Sequence, residues 1–122
     1  MGIGVDIIEI DRIDRLLRHY PRFRAKVFSA REIAYCEQKR NPSQHYAARF
    51  AAKESIIKIL RTGDVGPLRW RDLEILREPS GRPFVRLNGS ARLVGDRMGI
   101  EEITVSLSHC NSYAIAVAHV VR

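Results

Sequence analysis

The sequence predicts an α+β domain in which a small antiparallel sheet packs with helices. Alternating β-branched stretches lie at the two ends of the chain and as a hairpin before its last third, whereas helical spacing fills one block between residues 12 and 61. Strands grouped in this way, rather than interleaved with helices, exclude a regular βαβ series. The 122 residues, 45% of them hydrophobic, are enough for one core and too few for two ordinary ones, so residues 1–122 are read as a single domain.

The first strand is GIGVDIIEI, with Ile3, Val5 and Ile7 on one face and Gly2, Gly4 and Asp6 on the other. Asp11 is the expected cap of a helix from Arg12, in which Ile13, Leu16, Leu17 and Tyr20 recur at helical spacing until Pro21. SARE at 29–32 has the form of a capping box, so a second helix runs to about Gln38. Asn41-Pro42-Ser43 opens the longest helix, which reaches about Arg61 without Gly or Pro inside it. RTGDVGPLRW at 61–70 reads as a loop able to cover a ligand. Residues 71–77 and 84–87 flank EPSGRP as a hairpin, NGSARLVGDRMG is a short helix ended at Gly99, and ITVSLSH and YAIAVAHVV pair across a tight turn. In the last strand Tyr113, Ile115 and Val117 share one face and Ala114, Ala116 and Ala118 the other. So little polar surface suits a buried or interface strand.

Lys and Arg total 21 against 14 Asp and Glu, a formal charge of +7 spread along the chain, which favours an anionic partner. Nucleic acid is a poor candidate, because aromatics are only 7% of the chain and are not interleaved with the basic residues. No apolar stretch approaches the roughly 20 residues of a membrane span, and MGIGVDIIEIDRID lacks the cleavage site of a signal peptide and the Ser or Thr of a myristoylation signal. A cytoplasmic protein is expected. Cys36 and Cys110 have neither CxxC spacing nor a Cys/His cluster, so both are expected as free thiols.

RFAAKESIIK at 49–58 joins core-forming Phe50, Ala51, Ala52, Ile56 and Ile57 to Arg49, Lys53, Glu54 and Lys58. On a helix Glu54 and Lys58 lie one turn apart, with Arg49 and Lys53 at the boundary of the apolar side. A solvated i,i+4 ion pair satisfies that pattern; so does a metal and phosphate site, provided a second carboxylate is near. Asp6, a charge on a strand of Ile and Val, can supply it, though capping a loop or pairing an Arg would also account for it. Gly4 on the same face leaves room for a bulky ligand to approach.

GIGVDIIEIDRI at 2–13, FSAREI at 28–33, RFAAKESIIK, SGRP at 80–83 and VSLSH at 105–109 together resemble the bacterial holo-acyl-carrier-protein synthases, the short trimeric class of 4′-phosphopantetheinyl transferases. The resemblance covers essentially the whole chain in order. It implies that superfamily's fold and transfer of 4′-phosphopantetheine from coenzyme A to a serine of apo-acyl carrier protein, with release of 3′,5′-ADP, in fatty acid biosynthesis. Asp6, Glu54 and Lys58 are then the catalytic set, with Asp6 and Glu54 holding Mg²⁺, or Mn²⁺ as the alternative. The serine proton goes to Glu54 or to a metal-bound water that it orients. Coenzyme A contacts are carried to Arg49, Lys53, Lys58, Gly81, Arg82, Pro83, Ser108 and His109; by itself, His109 at a strand end reads as structural. A basic first helix, through Arg12, Arg15 and Arg22, suits an acidic carrier protein. The implied assembly is a homotrimer with active sites at subunit interfaces. Cys110 stands where the family commonly has Thr, Arg82 where it has Lys, and Arg61 where it has Gly. A noncatalytic relative that only binds coenzyme A or the carrier protein is the competing reading.

Overall fold

The structure is a computed structural model that describes residues 2–61 and 66–122. In chain order these form β1 (Gly2–Glu9), α1 (Ile10–His19), α2 (Phe23–Val27), α3 (Ala30–Glu37), α4 (Pro42–Leu60), a single 3₁₀ turn at Trp70–Asp72, β2 (Leu73–Arg77), β3 (Pro83–Leu87), α5 (Gly89–Met98), β4 (Glu102–His109) and β5 (Tyr113–Val121). The architecture is α+β as the sequence predicts. Strands β1, β5 and β4 make an antiparallel sheet in that order, and β2 and β3 a separate hairpin.

Helix α4 lies across the sheet and is almost wholly buried. Ala114, Ala116 and Ala118 give the central strand a shallow inner face, so that Ala47, Ala51, Ile56 and Ile59 can close on it as one core. The first strand closes against the last, with Asp6 opposite Ala116. Gly2 and Gly4 owe their presence to α4. A Cβ on Gly4 would come within 2.4 Å of the Ser55 carbonyl oxygen, and one on Gly2 within 2.8 Å of Ile59. Helix backbone, not ligand, fills the space expected beside Gly4. Gly4→Ala should therefore cost about 1–3 kcal/mol in urea unfolding, and a wild-type midpoint would mean that strand and helix do not pack this closely.

Two local expectations are revised. Helix α1 starts two residues earlier than the sequence suggests, with Glu9 as its N-cap and no side-chain cap bond. Asp11 falls in the first turn instead, where its charge suits the helix dipole. Residues 23–27 form a one-turn helix that the sequence analysis does not foresee, and it places Phe23 against Phe28 and Phe50. The capping box is present as expected: Ser29 Oγ accepts from the Glu32 amide and Glu32 Oε1 from the Ser29 amide. Gly99 ends α5 at φ 67°. Of the loop at 61–70, residues 62–65 lie outside the described residues.

Candidate active site

Asp6, Gly2 and Gly4 share the inward face of β1, and Asp6 is where that face meets the edge of α4. Lys58 Nζ reaches across to Asp6 Oδ1 at 2.9 Å, with the lysine side chain about half exposed and Asp6 nearly covered. Glu54, one turn before Lys58, faces the same aspartate. The two carboxyls are close enough to share a proton, which with partial burial and the charge of Asp6 pushes Glu54 up to about 7, against the opposing pull of Lys58 and Arg12. Lys58 is in turn held above the usual lysine range by its bond to Asp6.

Asp6 Oδ2 is buried, and no group donates to it when both carboxyls are ionised. An orphaned carboxylate oxygen beside a second carboxylate is the donor set of a hard divalent cation that takes its remaining ligands from phosphate and water. The residues present fit such an ion with two protein ligands. No group of three or more acidic, His or Cys side chains among the described residues is arranged to hold a metal ion.

The sequence places Arg49 and Lys53 at the boundary of the charged face, but in the structure both are buried and point inward. Lys53 is fully buried: its ammonium donates to Glu32 Oε1 at 2.7 Å, to the Val27 carbonyl at 2.8 Å and to the Trp70 carbonyl at 2.9 Å. Those partners leave it no free reach toward a ligand. Burial lowers its pKa, and Glu32 opposes the shift. Arg49 Nε donates to the Ile75 carbonyl and Nη1 to the His45 carbonyl, while the guanidinium stacks 4.1 Å over the Tyr35 ring. Its Nη2 is buried without a partner.

His109 ends β4 in the open and packs its ring edge-on to His45, with centroids 5.7 Å apart; His45 packs in the same way on Tyr35. Beside them Arg31, Tyr35, Arg49, Arg77 and Phe84 line a recess of about 320 Å³. The structure thus gathers the predicted residues into two groups on α4, with His45 and Glu54 nine residues and about 13 Å apart along its axis. Ser108 is not with His109; it pairs with Ile115 on the opposite face of the sheet. Gly81, Arg82 and Pro83 form the exposed turn of the β2–β3 hairpin, where Gly81 takes φ 92° and Arg77 bonds its carbonyl. Arg15 and Arg22 are exposed, and Arg12 is close enough for its charge to be felt by Glu54. Cys36 is buried, its thiol pushed up to about 12 chiefly by that burial, whereas Cys110 is exposed in the β4–β5 turn. The sequence analysis passes over His45, although its i,i+4 spacing to Arg49 was a usable signal.

The family model described as the 4′-phosphopantetheinyl transferase superfamily matches residues 2–118. The chain is 50% identical over 115 residues to the holo-[acyl-carrier-protein] synthase of Moorella thermoacetica, covering 94% of this chain and 89% of that one. Among solved structures it is similar to the Helicobacter pylori holo-[acyl-carrier-protein] synthase in complex with coenzyme A, at a TM-score of 0.82, 32% identity and coverage of 98% of this chain and 100% of that one. The Neisseria meningitidis synthase matches at a TM-score of 0.88 and 26% identity over 99% and 98% of the two chains.

Proposed function

The chain belongs to the 4′-phosphopantetheinyl transferase superfamily, and we propose on that premise that it moves 4′-phosphopantetheine from coenzyme A to a serine of apo-acyl carrier protein. The observation that carries the catalytic assignment is the Asp6–Glu54 pair with the unpartnered Asp6 Oδ2 and the Lys58 ammonium beside it. Noncatalytic binding would give no reason to keep two carboxylates in mutual repulsion.

Asp6 and Glu54 would hold the divalent cation, Mg²⁺ or alternatively Mn²⁺. When bound, it supplies charge neutralisation at the pyrophosphate and a better leaving nucleotide. Lys58 keeps its ammonium at the mouth of this site, free to turn from Asp6 to a phosphate oxygen. The serine proton passes to Glu54 or to a water that Glu54 orients. The serine oxygen forms the new bond to the phosphorus that carries pantetheine, the phosphoanhydride bond breaks, and 3′,5′-ADP leaves. Arg12, Arg15 and Arg22 face the acidic carrier protein; Gly81, Arg82, Pro83 and His109 face coenzyme A. Lys53 is given the structural task that its buried partners describe, and Ser108 belongs with the outer sheet face. The role is that of a single transferase domain working in cytoplasmic fatty acid biosynthesis.

A homotrimer accounts for the outer face of the sheet. Ile3, Val5 and Ile7 on β1 lie 75%, 55% and 61% exposed beside Tyr113, Ile115 and Val117 on β5, a contiguous apolar surface in the isolated chain. Ile115→Glu should leave a folded species of 14.0 kDa by sedimentation, where the parent sediments at about three times that mass. Equal masses for the two would remove this face from the assembly.

The test of function is intact mass spectrometry of apo-acyl carrier protein incubated with this protein, coenzyme A and Mg²⁺, with and without EDTA. One phosphopantetheine gained per carrier, and lost with EDTA, is the expected result. A folded protein that binds coenzyme A and leaves several carrier proteins unmodified would favour the noncatalytic reading.

A further inference from the structure

A recess of about 400 Å³ lies between the end of α2 and the 3₁₀ turn, lined by Ala25, Lys26, Leu68, Arg69, Trp70 and Arg71. None of the roles assigned so far uses it. Ala25, Leu68 and the half-buried Trp70 make it apolar in part, whereas Lys26, Arg69 and Arg71 are exposed cations. Among the described residues none of these three side chains has an ion pair or hydrogen bond, and no carboxylate is in the lining. Aromatic surface joins the recess to the catalytic pair. Trp70 stacks on Phe50 with ring centroids 5.0 Å apart, and Phe50 precedes Glu54 by one turn on the same stripe of α4. One turn and one ring stack put the Trp70 wall roughly 10 Å from Glu54. A pantetheine arm extends about 15 Å from phosphorus to sulfur, at the reach per bond of a polypeptide. With its phosphate at Asp6 and Glu54, it can lie over Phe50 and Trp70 and carry whatever its sulfur bears into the recess.

We propose that this recess receives the acyl group of an acylated coenzyme A, and that Lys26, Arg69 and Arg71 select acyl groups ending in a carboxylate. The inference rests on the transferase reading and names a donor class for it. A free thiol gives three cations nothing to meet, and a neutral acyl chain uses only the apolar part. A helix of an acidic carrier protein is too wide to enter a recess of this size, whereas a short chain fits. The reaction keeps its balance: the serine oxygen bonds to phosphorus, the phosphoanhydride bond breaks, 3′,5′-ADP leaves, and the thioester crosses intact. Because the cations face water, the selectivity they give is modest and sensitive to salt.

Malonyl-coenzyme A and isovaleryl-coenzyme A are matched probes, alike in shape, with a terminal carboxylate in one and an isopropyl end in the other. Transfer to apo-acyl carrier protein at low ionic strength, read by intact mass, should favour malonyl about tenfold in kcat/KM, chiefly through KM. Lys26→Gln combined with Arg71→Gln should bring that ratio to one or below. Both donors are compared on one enzyme, so a general loss of activity in the variant does not move the ratio. Ala25→Trp, which fills the recess, should raise KM for both acyl donors more than for coenzyme A. A parent that does not distinguish the two donors, or a preference that survives the double variant, overturns the inference and leaves the transferase reading in place. So does a double variant whose only defect is a raised KM for the carrier protein. No transfer from coenzyme A itself overturns both.

Discussion

Asp6→Asn and Glu54→Gln should each lower the rate of phosphopantetheine transfer at least about a hundredfold while the fold persists. Asparagine keeps the shape of Asp6 and removes the charge that Lys58 meets at 2.9 Å and that raises Glu54. The cation would then have one carboxylate where the site provides two, so calorimetry should show weaker Mg²⁺ binding alongside the loss of activity. Stability moves the other way. A carboxyl whose folded pKa, about 7, lies above its unfolded 4.5 costs stability as pH rises past 4.5, with the full cost present above 7. Asp6→Asn removes the main cause of that shift, so its melting temperature at pH 8 should equal or exceed that of the parent. Loss of activity together with unfolding would point to a structural role for Asp6, and wild-type rates in both variants would sink the assignment.

Lys53→Met should destabilise the protein by about 3–5 kcal/mol, a fall of roughly 10–20 °C in melting temperature. Methionine fills much of the same volume, so the loss measures charge and hydrogen bonding more than packing. Lys53 joins the end of α2, the start of α3 and the turn at Trp70 to the middle of α4, and its removal leaves the Glu32 carboxylate buried without its cation. Glu32 cannot simply protonate without loss, because its oxygens also accept from the amides of Ser29 and Ile75. Adding Glu32→Gln should recover part of the stability: the charge is gone, but glutamine returns one acceptor oxygen where two are used. The measurement is urea unfolding of both single variants and the pair. A Lys53→Met variant within 1 kcal/mol of the parent would show that the buried ammonium contributes little to stability.

Lys53 also marks where reading the sequence ran out. Helical periodicity correctly places Glu54 and Lys58 together on the outer side of α4, because i,i+4 neighbours follow from 3.6 residues per turn wherever the helix sits. The same periodicity puts Arg49 and Lys53 at the boundary, and says nothing of α3 and the β2–β3 hairpin packing over that boundary to bury them. Gly4 shows the same limit. Alternation assigns it to the inward face, whereas the choice between space for a ligand and space for a helix depends on what lies opposite. Asp6 was legible as a carboxylate out of place on a strand, yet its meeting with Glu54 required β1 to pair with β5 and α4 to cross both, contacts separated by about fifty residues and by most of the chain.

The sequence by itself determined the strands, most of the helices and their caps, the α+β class, and through its motifs the transferase family, because dihedral preference, capping and side-chain period are local properties of neighbouring residues. Tertiary structure alone decided which cations are buried ties and which are free to meet phosphate, which face of the sheet stays open, and that His45 stands against His109. Burial, desolvation and pairing are set by groups distant in the chain, and a charge takes its chemistry from them.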